Sequence, residues 1–306
     1  MQSKLSDNNS KKFQLKHFLQ LVRFKNLLLL VFVQILFVAV SSKSIFNIDF
    51  IKLVLLIQST VLLAAAGNVI NDFFDVKTDI INKPNKVLVG KIISGKSVLS
   101  IYYVLNFFGI ISGIVLAYLQ NKIIYGLLFI AISITLFYYS KSLKKIALLG
   151  NFIVSFFIAL SIILIIIFPP FYKLRFQTQN YIELVIYTYS FFAFILNFIR
   201  EIVKDIEDID GDNIQNMKTL PILIGRKRTQ NIIFYLSFIP FLTVILLVSN
   251  TNNILLMIYS IIFVIIPLGY FMYQIKEIKT KKGFNKLSAL LKVIMFFGIL
   301  SVILVK

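Results

Sequence analysis

Residues 68–79 read Asn-Val-Ile-Asn-Asp-Phe-Phe-Asp-Val-Lys-Thr-Asp and close a long apolar segment. Because an α-helix repeats every 3.6 residues, side chains spaced by four, three and four positions lie on one helix face. The first acidic stripe is therefore an amide and three carboxylates, namely Asn68, Asp72, Asp75 and Asp79. The same spacing returns 133 residues later, where the second acidic stripe comprises Glu201, Asp205, Asp208 and Asp212.

The acidic residues of the chain are concentrated in these two segments. Residues 68–79 and 201–212 hold nine of the 13 Asp and Glu residues, although the formal net charge is +19. Carboxylates that face one another repel and take up protons unless cations lie between them. We therefore expect cations at both stripes. Glu207 and Asp210 fall off the second stripe, and we expect them to face solvent.

The composition is that of a membrane protein. Of the 306 residues, 58% are hydrophobic, against about 45–50% apolar residues in soluble domains. The chain has no cysteine and a single histidine, His17, which excludes disulfides, cysteine nucleophiles and metal centres built on Cys and His clusters. The net positive charge does not indicate nucleic acid, because basic residues between membrane spans are retained on the cytoplasmic side during insertion.

The hydropathy pattern predicts an all-α, polytopic bundle of nine transmembrane helices in one domain, 1–306. The first apolar segment is longer than a signal-peptide core and no A-x-A-like cleavage site follows it, so we interpret it as a span. Residues 1–17 are polar and basic. Each span is near the ~20 residues that cross a hydrocarbon core, and the spans lie at about 18–40, 51–71, 98–119, 122–139, 146–168, 181–199, 231–249, 253–274 and 288–305.

The distribution of Lys and Arg predicts the orientation. With the N-terminus inside, the inner segments carry 26 of the 32 basic residues. Because cytoplasmic loops are enriched in Lys and Arg, we expect an integral cytoplasmic-membrane protein with its N-terminus inside and its C-terminus outside. Both acidic stripes then lie at the cytoplasmic mouth of the bundle, where spans two and six end.

The sequence also predicts a pseudo-repeat of two halves. Each stripe is followed by a segment with Pro, Gly and a basic residue: residues 82–91 contain Pro84, Gly90 and Lys91, and residues 218–226 contain Pro221, Gly225 and Arg226. Each half is thus a span, a stripe and a basic loop that can fold over the stripe.

The stripes indicate a site for a lipid diphosphate. Hard oxygen ligands suit Mg²⁺, which binds through a few carboxylates together with waters and substrate phosphates. Basic residues from the same segments are candidates for binding the phosphates: Arg23, Lys83, Lys86, Lys91, Lys141, Lys144, Arg200 and Lys204. With such charge neutralisation an allylic diphosphate can lose pyrophosphate, and a dry cavity with aromatic walls can stabilise the resulting cation. Each basic residue has a simpler interpretation as a topogenic or headgroup-binding charge.

At these residues the sequence resembles the UbiA superfamily of intramembrane prenyltransferases. The match lies in Asn68, Asp72, Asp75 and Asp79, in Asp205, Asp208 and Asp212, and more weakly in Arg23-Phe-Lys-Asn26 and in Tyr139-Ser140 with Lys144. The loops after the stripes look most like the branch of digeranylgeranylglyceryl phosphate synthases. The resemblance implies Mg²⁺-dependent transfer of a prenyl group, of the geranylgeranyl type in this branch, from a prenyl diphosphate to a glycerol-phosphate lipid hydroxyl.

The resemblance also implies roles for individual residues. Asp72, Asp75, Asp205 and Asp208 would be catalytic metal ligands together with Asn68, while Asp79, Asp212 and Glu201 remain open between metal, lysine and loop contacts. Asp208 and Asp212 straddle Gly211, so we expect the helix to end there. The acceptor would contact Asn26, Tyr139 and Ser140.

Three other functions remain open at this point. The acceptor could be an aromatic quinone precursor, the stripes could be the permeation site of a divalent-cation transporter, or the protein could be a membrane scaffold. Transporter sites usually lie near mid-bilayer, whereas both stripes lie at the ends of spans. The sequence leaves the general base and the oligomeric state open.

Overall fold

The computed structural model describes residues 15–42, 45–82, 84, 87–171 and 176–305. Within these residues the protein is helical, and nine helical segments are long and apolar enough to cross a membrane. The predicted nine-span, all-α fold is confirmed. The α-helices in chain order are α1 Leu15–Leu21, α2 Phe24–Ser42, α3 Phe50–Phe74, α4 Val76–Asn82, α5 Gly95–Leu119, α6 Leu127–Lys141, α7 Leu149–Ile167, α8 Phe176–Ile214, α9 Leu220–Ile224, α10 Arg226–Ser249, α11 Ile254–Ser260, α12 Ile266–Glu277 and α13 Lys281–Leu300.

The first span begins at Phe24, not at Phe18 as hydropathy predicted. The helix is interrupted between α1 and α2, where Arg23 adopts a left-handed backbone conformation with φ 55°. Non-glycine residues rarely occupy this region. The backbone N–H groups of Asn26 and Leu27 donate to the Arg23 carbonyl, and the carbonyl of Val22 is thereby available to another helix.

The two stripes lie on helices of different shape. Helix α3 ends at Phe74, Asp75 caps it, and α4 carries the first stripe onward after this one-residue break. The second stripe lies entirely on α8, which runs for 39 residues. At 1.5 Å per residue α8 is about 58 Å long, roughly twice the hydrocarbon thickness. The expected helix end at Gly211 is wrong, because α8 continues to Ile214.

Helix α8 joins two packed regions. Ile182, Ile186 and Ala193 from its first half belong to a core cluster with residues of α2, α3, α5, α6 and α7. From Ile195 onward its buried hydrophobic residues belong to a second cluster with α10, α12 and α13. The long helix is thus the shared element of the two halves.

The loops after the stripes also match. Gly90 and Gly225 both have positive φ, 80° and 88°, and each lies close before the next span. A side chain at this φ would be strained, so both halves need glycine at the same point of the repeat.

The connections on one side of the bundle contact one another. The backbone N–H of Lys218, after α8, donates to the carbonyl of Lys145, before α7, at 2.8 Å. The guanidinium of Arg226, at the start of α10, donates to the carbonyl of Lys279 after α12. We call this side, which includes both acidic stripes, the stripe side.

Candidate active site

The first stripe is neutralised by a residue before the first span. A guanidinium nitrogen of Arg23 lies 2.9 Å from a carboxylate oxygen of Asp72. The left-handed backbone at Arg23 ends α1 and starts α2 at this point, so the break in the chain places the guanidinium beside the stripe. Deeper in α3, the side-chain amide of Asn68 donates to the carbonyl of Val22 at 3.0 Å. The interruption between α1 and α2 therefore supplies partners for two residues of the first stripe, Asp72 and Asn68.

The next carboxylate, Asp75, is paired with Lys144 from the turn between α6 and α7. The ammonium of Lys144 also donates to the Oδ1 of Asn71, and the Asn71 amide donates to Asp75 at 2.8 Å. Burial lowers the pKa of Lys144, and the adjacent Asp75 carboxylate opposes that shift. Lys144 is held here by close backbone packing, since a Cβ on Gly150 would lie 2.8 Å from the Cα of Lys144.

The carboxylates of the second stripe have partners of two kinds. Glu201 accepts from Arg200 at 2.7 Å and from Lys204 at 3.0 Å. One turn further along α8, Asp205 accepts from the amide of Asn151, at the start of α7, at 2.8 Å. Glu201 thus has cationic partners on its own helix, whereas Asp205 has an amide partner from a neighbouring helix.

The two stripes meet through Asn82. Its side-chain amide donates to the backbone carbonyl of Asp208 at 3.1 Å, and its Oδ1 accepts from the backbone N–H of Gly211 at 3.1 Å. A Cβ on Gly211 would lie 2.3 Å from the Asn82 amide nitrogen. Only glycine lets the end of α4 approach α8 so closely, which brings the first stripe against the second.

Tyr139 lies within electrostatic range of both stripes, namely of Asp75 in the first and of Glu201 and Asp205 in the second. Asp212 is buried and interacts electrostatically with Asp205, and Asp79 interacts with Lys144. The predicted juxtaposition of the two stripes is therefore present in the structure.

A family comparison agrees with this arrangement. The model of the UbiA prenyltransferase family matches residues 28–300, which include both stripes. The chain belongs to the UbiA prenyltransferase family. Relatives support the same assignment: the chain is 34% identical over 295 residues to the digeranylgeranylglyceryl phosphate synthase of Saccharolobus solfataricus, covering 95% of this chain and 96% of the relative. The expected resemblance to that branch is confirmed.

Solved structures share the fold of this UbiA chain. One, from a study of digeranylgeranylglyceryl phosphate synthase in membranes, has a TM-score of 0.64 and 26% identity, with 94% of this chain and 97% of the other covered. A UbiA homologue from Archaeoglobus fulgidus, bound to GPP and Mg²⁺, has a TM-score of 0.57 at 15% identity and covers 94% and 99% of the two chains. The nine-span bundle is therefore the fold of this membrane family.

The remaining predicted site residues differ in their hydrogen bonds and exposure. Lys91 donates to the carbonyl of Pro84, and Lys141 is exposed. Ser140 is buried and donates to the Leu136 carbonyl within its own helix. Asn26 accepts from Lys292 of α13 at 2.7 Å. Lys83 and Lys86 lie outside the described residues.

The expectation for Glu207 is wrong. We expected it to face solvent, but its side chain is buried and accepts from Asn285 of α13 at 2.8 Å. Helix α13 packs along this part of α8, so the face of α8 that carries Glu207 contacts another helix and not solvent. Asp210 is exposed, as expected.

Sequence reasoning missed three asparagines that organise the carboxylates: Asn71, Asn82 and Asn151. Asn71 directly precedes Asp72, and its place inside the first motif was an available signal. Asn82 was treated only as part of the loop after the first stripe, and Asn151 was not singled out. Amides can donate to carboxylates and carbonyls across helices, which spacing along one helix does not reveal.

The donor set has the chemistry of a Mg²⁺ site. Among the described residues no three Asp, Glu, His or Cys side chains are grouped closely enough to hold a metal ion by themselves. Instead, Arg23 neutralises Asp72, Lys144 neutralises Asp75, and Arg200 and Lys204 both contact Glu201. Mg²⁺ binds through one or two carboxylates plus substrate phosphates and waters, not through a complete protein cage. The separated carboxylates of the two stripes suit this mode of binding.

A cavity of about 310 Å³ lies at the opposite end of α2 from Asn26. Its lining is mostly apolar and comes from α2, α8 and the end of the chain after α13, with Phe37, Tyr181, Ile186 and Val302 among the lining residues. It is separate from the stripe side.

Replacement of Asn82 by Ala tests the contact between the stripes. Loss of its two hydrogen bonds to α8 should let α4 move away from α8. A displacement of about 1 Å in an active site can cost about a hundredfold in rate, so we expect prenyl transfer to fall by about ten- to a hundredfold. The rate is measured with purified protein in detergent micelles.

The matched control is Asn250→Ala, which removes an asparagine that donates to Leu246 at the other end of the bundle. It should leave the rate unchanged. Equal rates for Asn82→Ala and wild type would contradict the role of Asn82.

Proposed function

We propose that the protein transfers a geranylgeranyl-type prenyl group from a prenyl diphosphate to the hydroxyl of a glycerol-phosphate prenyl ether, with Mg²⁺ as cofactor. The observation that carries this proposal is the meeting of two acidic stripes and their basic partners at one end of an apolar bundle. The near full-length relative from Saccharolobus solfataricus, a digeranylgeranylglyceryl phosphate synthase, supports the choice of acceptor.

The carboxylates would bind the cofactor between the two halves. The proposed ligands are Asp72 of α3, Asp75 that caps α3, and Asp205 and Asp208 of α8, with Asn68 as an amide ligand. When bound, Mg²⁺ neutralises the charge that develops on the departing pyrophosphate. The Archaeoglobus fulgidus homologue has GPP and Mg²⁺ bound, which supports the choice of cofactor.

The basic residues at the first stripe would bind the diphosphate. Arg23 and Lys144 each contact a carboxylate and lie at the mouth of the bundle. If the carboxylates held the metal, Arg23 and Lys144 would be able to donate to phosphate oxygens. Charge-assisted hydrogen bonds to phosphate are strong and directional, so these residues would fix the diphosphate end of the substrate.

The reaction breaks the bond between the allylic carbon and the diphosphate oxygen. The acceptor hydroxyl oxygen forms the new bond to that carbon, and the hydroxyl proton passes to a stripe carboxylate or to the leaving pyrophosphate. The prenyl tail would lie among the apolar helices, where water is excluded. Exclusion of water protects the allylic cation from hydrolysis.

The stripe side is proposed to face the cytoplasm. The inner segments include the connections between α6 and α7 and between α12 and α13, and they carry most of the Lys and Arg residues. The positive-inside rule places such connections in the cytoplasm. The N-terminus would then be cytoplasmic and the C-terminus outside.

Substitution of the central carboxylates tests the metal assignment. Asp72→Asn and Asp205→Asn keep the side-chain shape but remove a negative charge, so the metal-bound diphosphate should no longer form. We expect turnover to fall by about a thousandfold or more, while both variants remain in the membrane. Asp210→Asn, exposed on the same helix as Asp205, is the control. Full activity in either stripe variant would exclude the proposed ligands.

The acceptor is tested by product analysis. Labelled geranylgeranyl diphosphate is supplied with either a phosphate-bearing prenyl glycerol ether or an aromatic carboxylic acid acceptor, and products are identified by mass spectrometry. We expect product only from the glycerol ether, with loss of activity in EDTA and recovery on addition of Mg²⁺. Product from the aromatic acceptor alone would overturn the proposal, and metal flux into liposomes without transfer would indicate a transporter.

The orientation is tested with single cysteines, because the natural chain has none. Asn250→Cys lies in the exposed connection between α10 and α11, and Lys279→Cys lies in the exposed connection between α12 and α13. A membrane-impermeant maleimide applied to intact cells should label the first and spare the second until the cells are lysed. The reverse pattern would place the stripe side outside.

A further inference from the structure

A second set of basic residues lies at and beside Glu201 on the stripe side. Arg200 and Lys204 of α8 contact Glu201, and Lys292 of α13 lies within electrostatic range of Arg200 and of Lys25 of α2. We call these four residues the Glu201 basic group. It shares no member with the pairs at the first stripe, where Arg23 and Lys144 contact Asp72 and Asp75, although Arg23 also lies within electrostatic range of Glu201 and Lys204. The sequence had assigned Arg200 and Lys204 to the diphosphate and had assigned no role to Lys25 or Lys292.

Lys292 is held where α13 passes α2. Its ammonium donates to the side-chain carbonyl of Asn26 at 2.7 Å. At the same place Lys292 is repelled by Arg200 and Lys25, which lie within electrostatic range. The ammonium carries three donors, and an amide oxygen neutralises none of its charge. The hydrogen bond therefore fixes the position of Lys292 beside two other cations.

Arg200 is incompletely satisfied. One of its terminal nitrogens donates to Glu201 at 2.7 Å, and its Nε is buried with no hydrogen-bond partner among the described residues. A buried donor without a partner is costly. An anion that accepts from the guanidinium would remove this cost.

The charges in the group do not balance. Glu201 is the carboxylate that accepts from both Arg200 and Lys204, while Lys25 and Lys292 add two further positive charges. Like charges held together destabilise the protein unless an anion lies between them. The excess of positive charge therefore favours a bound anion.

We propose that Lys292, with Arg200 and Lys25, binds the phosphate monoester of the acceptor. This inference rests on the proposed function and adds the residues that select the acceptor. The reaction brings two anionic substrates to one site, and a set of basic residues that shares no member with the first-stripe pairs gives each substrate cations of its own. A planar guanidinium beside an ammonium suits the oxygens of a phosphate.

The position of Asn26 supports the assignment. Asn26 orients Lys292 and follows Arg23, which contacts Asp72. The start of α2 thus contacts the first stripe through Arg23 and the Glu201 basic group through Asn26. A phosphate at Lys292 and a diphosphate at the first stripe would lie on two sides of the same short segment, so that the acceptor hydroxyl can face the allylic carbon.

Lys292→Gln tests the proposal by steady-state kinetics in micelles of neutral detergent. A charged hydrogen bond to phosphate is lost, so the KM for the phosphate-bearing prenyl glycerol ether should rise about tenfold. The KM for geranylgeranyl diphosphate should stay unchanged. With the same ether lacking its phosphate, wild type and Lys292→Gln should have equal KM values. Lys292→Arg should retain most of the affinity for the phosphate-bearing ether.

Lys286→Gln is the matched control, because Lys286 is exposed on α13 six residues away and belongs to neither basic group. It should behave as wild type in every assay, and equal melting temperatures would show that both Gln variants fold. An unchanged acceptor KM, or an equal rise with the phosphate-free ether, would overturn the proposal. A rise in the KM for geranylgeranyl diphosphate would assign Lys292 to that substrate instead.

Kinetics in vesicles distinguish a second possibility, in which the Glu201 basic group binds a lipid headgroup. A difference between wild type and Lys292→Gln that appears only in vesicles with anionic lipid would mean that the group binds such a headgroup, which also overturns the proposal. The proposed function itself would fail if the wild-type protein transferred no prenyl group to any glycerol ether. Transfer by the wild type with no effect of Lys292→Gln would reject the role of Lys292 alone.

Discussion

Carboxylates at the ends of apolar helices must have positive charge beside them, and the stripe side is organised by this requirement. A charged group near the hydrocarbon is costly unless it is paired. The ion pairs of Asp72 with Arg23 and of Asp75 with Lys144 connect α3 to the start of α2 and to the turn before α7. The same charges that make the site reactive therefore also fix how the surrounding segments meet.

Close backbone approach is the second constraint. Asn82 reaches the backbone of α8 because Gly211 has no side chain, and Lys144 reaches Asp75 because Gly150 has none. Gly211 lies beside a polar contact between the halves, and Gly150 lies beside one within the first half. The site therefore depends on two positions without a side chain as well as on its ion pairs. Helix α8 carries the second stripe and packs in both hydrophobic clusters.

Much of the fold could be predicted from the sequence, because hydropathy over about 20 residues directly reflects the thickness of the membrane. The errors have local causes. The first span was placed at Phe18 because hydropathy does not register the left-handed backbone at Arg23. The end of α8 was placed at Gly211 because glycine usually weakens a helix, whereas here contact with Asn82 compensates. Glu207 was misjudged because the packing of α13 was not visible.

The sequence alone determined the acidic faces, the number of spans and the duplication, since these depend on spacing within a single helix and on the length of apolar segments. It also indicated the family, through motifs that are local in the chain. Tertiary structure decided which cation pairs with which carboxylate, and that Asn82 and Asn151 support the stripes. It also decided that Lys292 lies within electrostatic range of Arg200. Such pairings depend on how helices far apart in the chain pack together, and no spacing rule within one helix contains that information.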